Sequence, residues 1–212
     1  MNRASLFLVF LLVAVVAACT GSPEPLPDRD WLRGDRLPAA PGRDFGAPPQ
    51  VTPYFELRGQ GDGLLVINTS LGSGITPVLY SGEAPTRLAW EVNGEFLHEG
   101  IDGGWGLEFA YRDGQAYRAM IYASGRFCVD RAHGEYPEFI HCVTRLPAIR
   151  TGEEENRLGL ELDGAWVRIR VNGILALSFE DERIRRGKIA LAVAGAGTTV
   201  LFREGELRDL DR

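Results

Sequence analysis

From residue 51 onward apolar residues recur at every second position, and dipeptides that favour tight turns break this period at short intervals. Leu158, Leu160 and Leu162 alternate with Gly159 and Glu161, Val167, Ile169 and Val171 alternate with Arg168 and Arg170, and Ile189, Leu191 and Val193 alternate with alanines. Asn93-Gly94, Asp113-Gly114, Ser124-Gly125, Asp163-Gly164 and Asn172-Gly173 lie between or beside such runs, a pattern that predicts β-hairpins. Further strands are expected near 53–58, 63–69, 76–81, 86–92, 104–111, 116–123, 126–131, 138–144, 174–179 and 198–203. A period of two gives each strand one dry and one wet face, and the dry face must be covered. Only Asp181 to Arg186 hints at a helical turn, so the cover has to be a second sheet. The expected fold is all-β, a two-sheet antiparallel sandwich, with Trp90 and Trp105 on the apolar parity and therefore in the core. One strand resists: Val171 should face Ile174 across the Asn172-Gly173 turn, yet Leu175, Leu177 and Phe179 form the larger apolar set on the opposite parity. Either a bulge or two partly covered faces is required there.

The 212 residues divide into three parts. Arg3 followed by 15 uncharged residues, Ala4 to Ala18, is short for a membrane span and suits the apolar region of a secretory signal. It ends in Val16-Ala17-Ala18-Cys19, which resembles the lipobox of bacterial lipoproteins. The resemblance implies cleavage after residue 18, acylation of Cys19 with palmitate or a similar chain, and a membrane held through that lipid anchor. Thr20 stands where inner-membrane lipoproteins of this kind often carry Asp, so an outer-membrane or cell-surface location is favoured. Residues 19–50 then form a tether rich in Pro and Gly, with seven of the twelve prolines. Trp31, Leu32 and Leu37 are its apolar exceptions, suited to docking on the domain or on a partner. Residues 51–212 suffice for one domain with one core. With 45% apolar and 25% charged residues the composition excludes collagen, coiled coil and wholesale disorder. A net charge of -6 argues against a nucleic-acid partner.

Cys128 and Cys142 are equidistant from position 135, so a hairpin centred there sets them opposite each other. In an oxidising compartment they are expected to form a disulfide.

Several segments taken in order resemble bacterial concanavalin A-like, laminin-G-like domains. They are Gly106-Leu107-Glu108-Phe109-Ala110-Tyr111-Arg112-Asp113-Gly114-Gln115-Ala116-Tyr117, then Pro147-Ala148-Ile149-Arg150-Thr151-Gly152 followed by Asn156-Arg157-Leu158, then Val171-Asn172-Gly173, Gly187-Lys188-Ile189-Ala190-Leu191 and Val200-Leu201-Phe202-Arg203. The resemblance implies a jelly roll, touches the 3-keto-disaccharide hydrolase-like group, and brings sugars forward as ligands. Arg203 stands where the last strand commonly carries Asp, and Ala190 replaces a common Gly.

His98, His133 and His141 lack companions at ligand spacing, so no metal site is expected, and His141 reads as a packed sheet residue. Neither a phosphate-binding loop nor a nucleophile elbow occurs, so no cofactor, nucleotide or serine nucleophile is expected. Glycoside hydrolysis needs two carboxylates about 5 to 10 Å apart. The Glu-x-Asp-x-x-Glu run of laminarinase-type glucanases is missing, and Glu91, Glu108 and Glu161, all on the wet parity, are the remaining candidates. The same parity carries Arg87, Arg112, Arg118, Tyr122, Asp130, Trp166, Arg168 and Arg170. From these, Trp166, Tyr122, Arg118, Arg168, Glu108 and Arg112 are the set one sheet face could offer a glycan, rings for C–H faces and planar charged groups for hydroxyls. A solvated charged face is the plainer reading. The function expected is a lipid-anchored extracytoplasmic binding domain for carbohydrate or another cell-envelope component. A glycoside or 3-keto-disaccharide hydrolase and a non-catalytic scaffold are the alternatives.

Overall fold

The computed structural model describes residues 35–36, 49–72, 74–78, 83–133, 136–184 and 186–211. They form fifteen strands: β1 (Asp35–Arg36), β2 (Gln50–Val51), β3 (Phe55–Gln60), β4 (Gly63–Asn68), β5 (Ile75–Val78), β6 (Arg87–His98), β7 (Gly104–Arg112), β8 (Gln115–Tyr122), β9 (Phe127–His133), β10 (Tyr136–Val143), β11 (Asn156–Asp163), β12 (Trp166–Val171), β13 (Ile174–Glu180), β14 (Lys188–Ala194) and β15 (Thr199–Asp209). One sheet runs β13-β12-β11-β6-β15-β4-β3-β2, with β1 added to β15; the other runs β10-β9-β8-β7-β14-β5. Every pairing is antiparallel, and the two sheets make the expected jelly-roll sandwich.

Alternation delivers the core. Trp90, Phe96, Trp105, Phe109, Phe127 and Phe202 are all fully buried between the sheets. Trp105 meets Phe202 edge-on at 5.5 Å, and each such aromatic contributes about 1.5 to 3 kcal/mol through burial. The Asp113-Gly114 and Asn172-Gly173 pairs turn as expected, both residues of each adopting positive φ. Asn93-Gly94 does not turn, because β6 runs straight through it. A Cβ on Gly94 would lie 2.7 Å from Trp105 Cε2, so this glycine admits a ring rather than a reversal. Of the helical turn expected over 181–186, the described residues 181–184 form a single reversal in which Ile184 N donates to Asp181 O at 3.1 Å, and the described residues contain no helix.

Bulges settle two registers. Ile169 pairs with Leu177 but Arg170 pairs with Leu175, so Ala176 is the extra residue that sends Leu177 and Phe179 inward. Between β9 and β10, Phe139 pairs with Asp130 but His141 pairs with Val129, a slip of one at Ile140 that places Cys142 opposite Cys128. The two cysteines are bonded, with Cα atoms 4.1 Å apart. His141 turns inward and its ring lies 6.2 Å from that of Phe127. Asp35–Arg36, within the expected tether, pairs with Asp209 and Arg208. Cys19, Trp31, Leu32 and Leu37 lie outside the described residues.

Candidate functional site

With Trp105, Leu107 and Phe109 of β7 turned inward, Gly104, Gly106 and Glu108 face outward, and the neighbouring strands follow in register. One row across the six-stranded sheet is Glu108, Arg118, Asp130 and Phe139. The next is Gly106, Met120, Cys128 and Cys142. A third pairs Gly104 with Tyr122. On β14 the outward positions are Ala190 and Ala192, the latter facing Gly106 across the ladder.

The glycines are required by what lies over them. A Cβ on Gly106 would stand 2.6 Å from Met120 Sδ, and one on Gly104 would stand 2.7 Å from the Tyr122 ring. Met120 and Tyr122 therefore lie flat and form a second apolar cluster with Cys128, Ala192 and Ala194, outside the main core. Arg126 stacks its guanidinium 3.8 Å above the Tyr122 ring. That pose leaves Arg126 Nε without a hydrogen-bond acceptor among the described residues.

Arg118 donates from both Nε, at 2.8 Å, and Nη2, at 2.6 Å, to Asp130 Oδ1. Burial pushes the Asp130 carboxyl above its ordinary pKa, against the opposing pull of Arg118. Burial likewise raises the Tyr122 phenol. At the edge of this charged row stands Phe139, 61% exposed.

The six candidate ligand residues do not share a face. Glu108, Arg118 and Tyr122 lie together on the six-stranded sheet, whereas Trp166 and Arg168 lie on the outward face of the opposite sheet. Arg112 belongs to neither, since it ends β7 at a hairpin tip, 3.4 Å from Asp113. The three glutamates are divided in the same way. Glu91 and Glu161 occupy adjacent strands β6 and β11, but Glu108 is on the far side of the sandwich. Arg157 Nε lies 3.3 Å from Glu91, and Arg168 Nη1 donates to Glu161 at 2.7 Å. Around them Arg203 pairs with Glu95, and Arg87 pairs with Asp163 at 2.6 Å and with Asp211 at 3.1 Å. This second face is a lattice of mutually neutralised charges, with Trp166 half-exposed at its border.

Sequence reasoning left Arg126, Met120 and Phe139 out of the site. Arg126 and Met120 were open to discovery, because they share the parities of Asp130 and of Arg118 and Tyr122. Phe139 was not, because the Ile140 bulge separates it from the parity of His141. The described residues hold no cluster of His, Cys, Asp and Glu suited to a metal ion.

No known family profile and no curated protein matches the chain. Solved structures share its fold. A Bacillus subtilis protein of unknown function with a galectin-like fold superposes with TM-score 0.58 at 13% identity, over 73% of this chain and 86% of that one. The carbohydrate-binding module CBM66 from Bacillus subtilis gives TM-score 0.54 at 16% identity, over 76% and 91%. A GH16 protein of the Bacteroides ovatus mixed linkage glucan locus, in complex with its G4G4G3G product, gives 0.51 at 8%, over 74% and 86%. At these identities the likeness establishes the fold, a concanavalin-like jelly roll.

Proposed function

We propose that this chain is a lipid-anchored, extracytoplasmic carbohydrate-binding domain that uses the outer face of its six-stranded sheet. The observation that carries the reading is one continuous row in which the exposed Phe139 ring borders the charged groups Asp130, Arg118 and Glu108. In that row Phe139 supplies a stacking platform, and the buried Asp130 holds the planar Arg118 guanidinium beside it. The shared architecture with a carbohydrate-binding module and with a product-bound GH16 protein supports the same reading.

Binding is favoured over hydrolysis by the carboxylates. Glu91 and Glu161 are paired with arginines. Asp130 is likewise paired with an arginine, Arg118, which stands between it and Glu108 in the row. The anchor reading rests on Val16-Ala17-Ala18-Cys19 and places the domain at the outer membrane or cell surface. Labelled palmitate should enter the wild-type chain and not Cys19→Ser.

A glycan array followed by calorimetry on the secreted chain tests the binding face. Phe139→Ala should weaken glycan binding roughly tenfold, as loss of one stacking contact implies. Trp166→Ala, on the opposite sheet, should leave it unchanged. Absence of glycan binding, or dependence on Trp166 alone, would overturn the assignment.

A further inference from the structure

Loops 52–54, 69–72, 99–103 and 195–198 meet at the end of the sandwich where β4 and β6 finish and β7 and β15 begin. Hydrogen bonds tie them side by side. Thr69 N and Ser70 N donate to Tyr54 O at 2.9 and 3.1 Å, and Ala196 N donates to Gly72 O at 2.9 Å. A Cβ on Gly195 would stand 2.3 Å from Ile101 O, and one on Gly100 would stand 2.2 Å from Ala196 O, so the last two loops touch through their backbones. Gly103 N donates to Gly100 O at 3.0 Å, which sets Ile101 and Asp102 at the crest of a tight turn.

Glycines let these loops lock and leave few side chains to project. Those that do are largely apolar: Leu71 is fully exposed, Ile101 is 78% exposed and Tyr54 is 62% exposed, with Val51 and Leu97 exposed beside them. Of the nine large apolar side chains that are exposed among the described residues, these five share one end of the molecule, which is a concentration and not the usual scatter. The four loops contain no Lys or Arg, and the exposed Glu99 and Asp102 flank Ile101. Leu71 and Ile101 stand on separate loops with Gly72, Gly195 and Ala196 between them, so they offer a protein partner neither a groove nor a continuous apolar face. A fluid bilayer closes around separate side chains, and a tyrosine ring is suited to its headgroup level.

We propose that this end of the sandwich dips into the surface of a phospholipid bilayer, Leu71 and Ile101 entering the acyl region and Tyr54 resting among the headgroups. The inference rests on the anchor reading only for proximity. Asp35 is held beside Asp209 at the opposite end, but the chain from Cys19 to Asp35 can span roughly 50 Å, more than the roughly 40 Å length of the twelve-residue β6. A domain kept so near the bilayer needs only a weak contact to settle on it. Glu99 and Asp102 favour zwitterionic over anionic lipid. Standing on its end, the sandwich keeps both sheet faces off the bilayer, so the Phe139 row stays open to a glycan.

The secreted chain, carrying no acyl group, tests this against phosphatidylcholine vesicles at millimolar lipid, so failure here is separate from failure of palmitate labelling. The chain should float with the vesicles. In methyl NMR, spin-labelled phosphatidylcholine should attenuate the Leu71 and Ile101 signals most, those of Ile174 and Leu175 on the exposed edge strand β13 less, and that of Ile184 at the opposite end least. Leu71→Ser and Ile101→Ser should each weaken partition roughly tenfold with an unchanged melting temperature, since neither side chain is in the core. Phosphatidylglycerol vesicles should bind less well than phosphatidylcholine, and Glu99→Gln with Asp102→Asn should narrow the difference. The proposal is overturned if the chain does not bind vesicles, if the double serine variant partitions like wild type, or if Ile174 and Leu175 are the most attenuated. It is overturned equally if the serine variants instead dissolve a dimer, which would make this end a contact between copies. The attenuation pattern is read on the unsubstituted protein and needs no variant to fold.

Discussion

Tyr117 stacks on Phe109 with ring centroids 5.6 Å apart, and its hydroxyl donates to Asp181 Oδ2 at 2.8 Å. Burial, and then that carboxylate, push the Tyr117 phenol up to about 12. A raised folded pKa means that this hydrogen bond stabilises the protein below pH 10 and is lost as the pH climbs through 12. Titration followed by tyrosinate absorbance should therefore show a last step near pH 12 that is missing in Tyr117→Phe. The substitution should cost about 1 to 2 kcal/mol at pH 7, measured by denaturant unfolding. Asp181 has the opposite sign. Arg183 beside it, helped by its own backbone N–H and by Tyr117, holds the carboxyl well below the usual carboxylate range. Its stabilisation is complete above the ordinary Asp pKa of about 4 and disappears as the pH falls below that. Asp181→Asn should melt lower than wild type at neutral pH, and the gap should close in acid. Neither partner was visible in the chain, where Tyr117 and Asp181 stand 64 positions apart and only the crossover from β13 to β14 brings them together.

Elements were legible wherever alternation and turn chemistry agreed, and unreadable wherever a bulge intervened. The Asn172-Gly173 hairpin and its disputed partner strand illustrate both cases. The turn formed as its residues require, while the choice between a bulge and a doubly covered strand was decided by Ala176. Ile140 plays the same role for the disulfide. Its deletion should join Phe139 to His141 in an unbroken ladder that still sets His141 opposite Val129 and Cys142 opposite Cys128, so the unreduced variant should show no thiol that reacts with a thiol reagent. Replacing both cysteines by alanine keeps the register and should cost about 3 kcal/mol for a closed loop of about 15 residues, read from the shift in unfolding midpoint. Gly94→Ala should destabilise by about 1 to 3 kcal/mol, because the added methyl meets the Trp105 ring at 2.7 Å and β6 cannot move away between β11 and β15.

For the molecule as a whole, the decisive fact is that the two sheets turn their outer faces in opposite directions. Sheets stack about 10 Å apart, so residues facing outward from different sheets cannot contact one ligand. Glu91→Gln and Glu161→Gln should therefore leave glycan binding at the Phe139 row intact in calorimetry, although each breaks an ion pair on the other face. The chain by itself determined the two-layer architecture and the inward set of aromatics, because a period of two and local turn residues act over a few positions, whereas the pairing of Cys128 with Cys142 also needed the slip at Ile140. It could not determine that Arg118 and Trp166 lie back to back, or that Phe139 borders Asp130. Those relations depend on β6 lying between β11 and β15 and β7 lying between β8 and β14. Pairings between strands so distant in sequence are selected by how the whole core packs, since alternation is the same in every strand and carries no address for its partner.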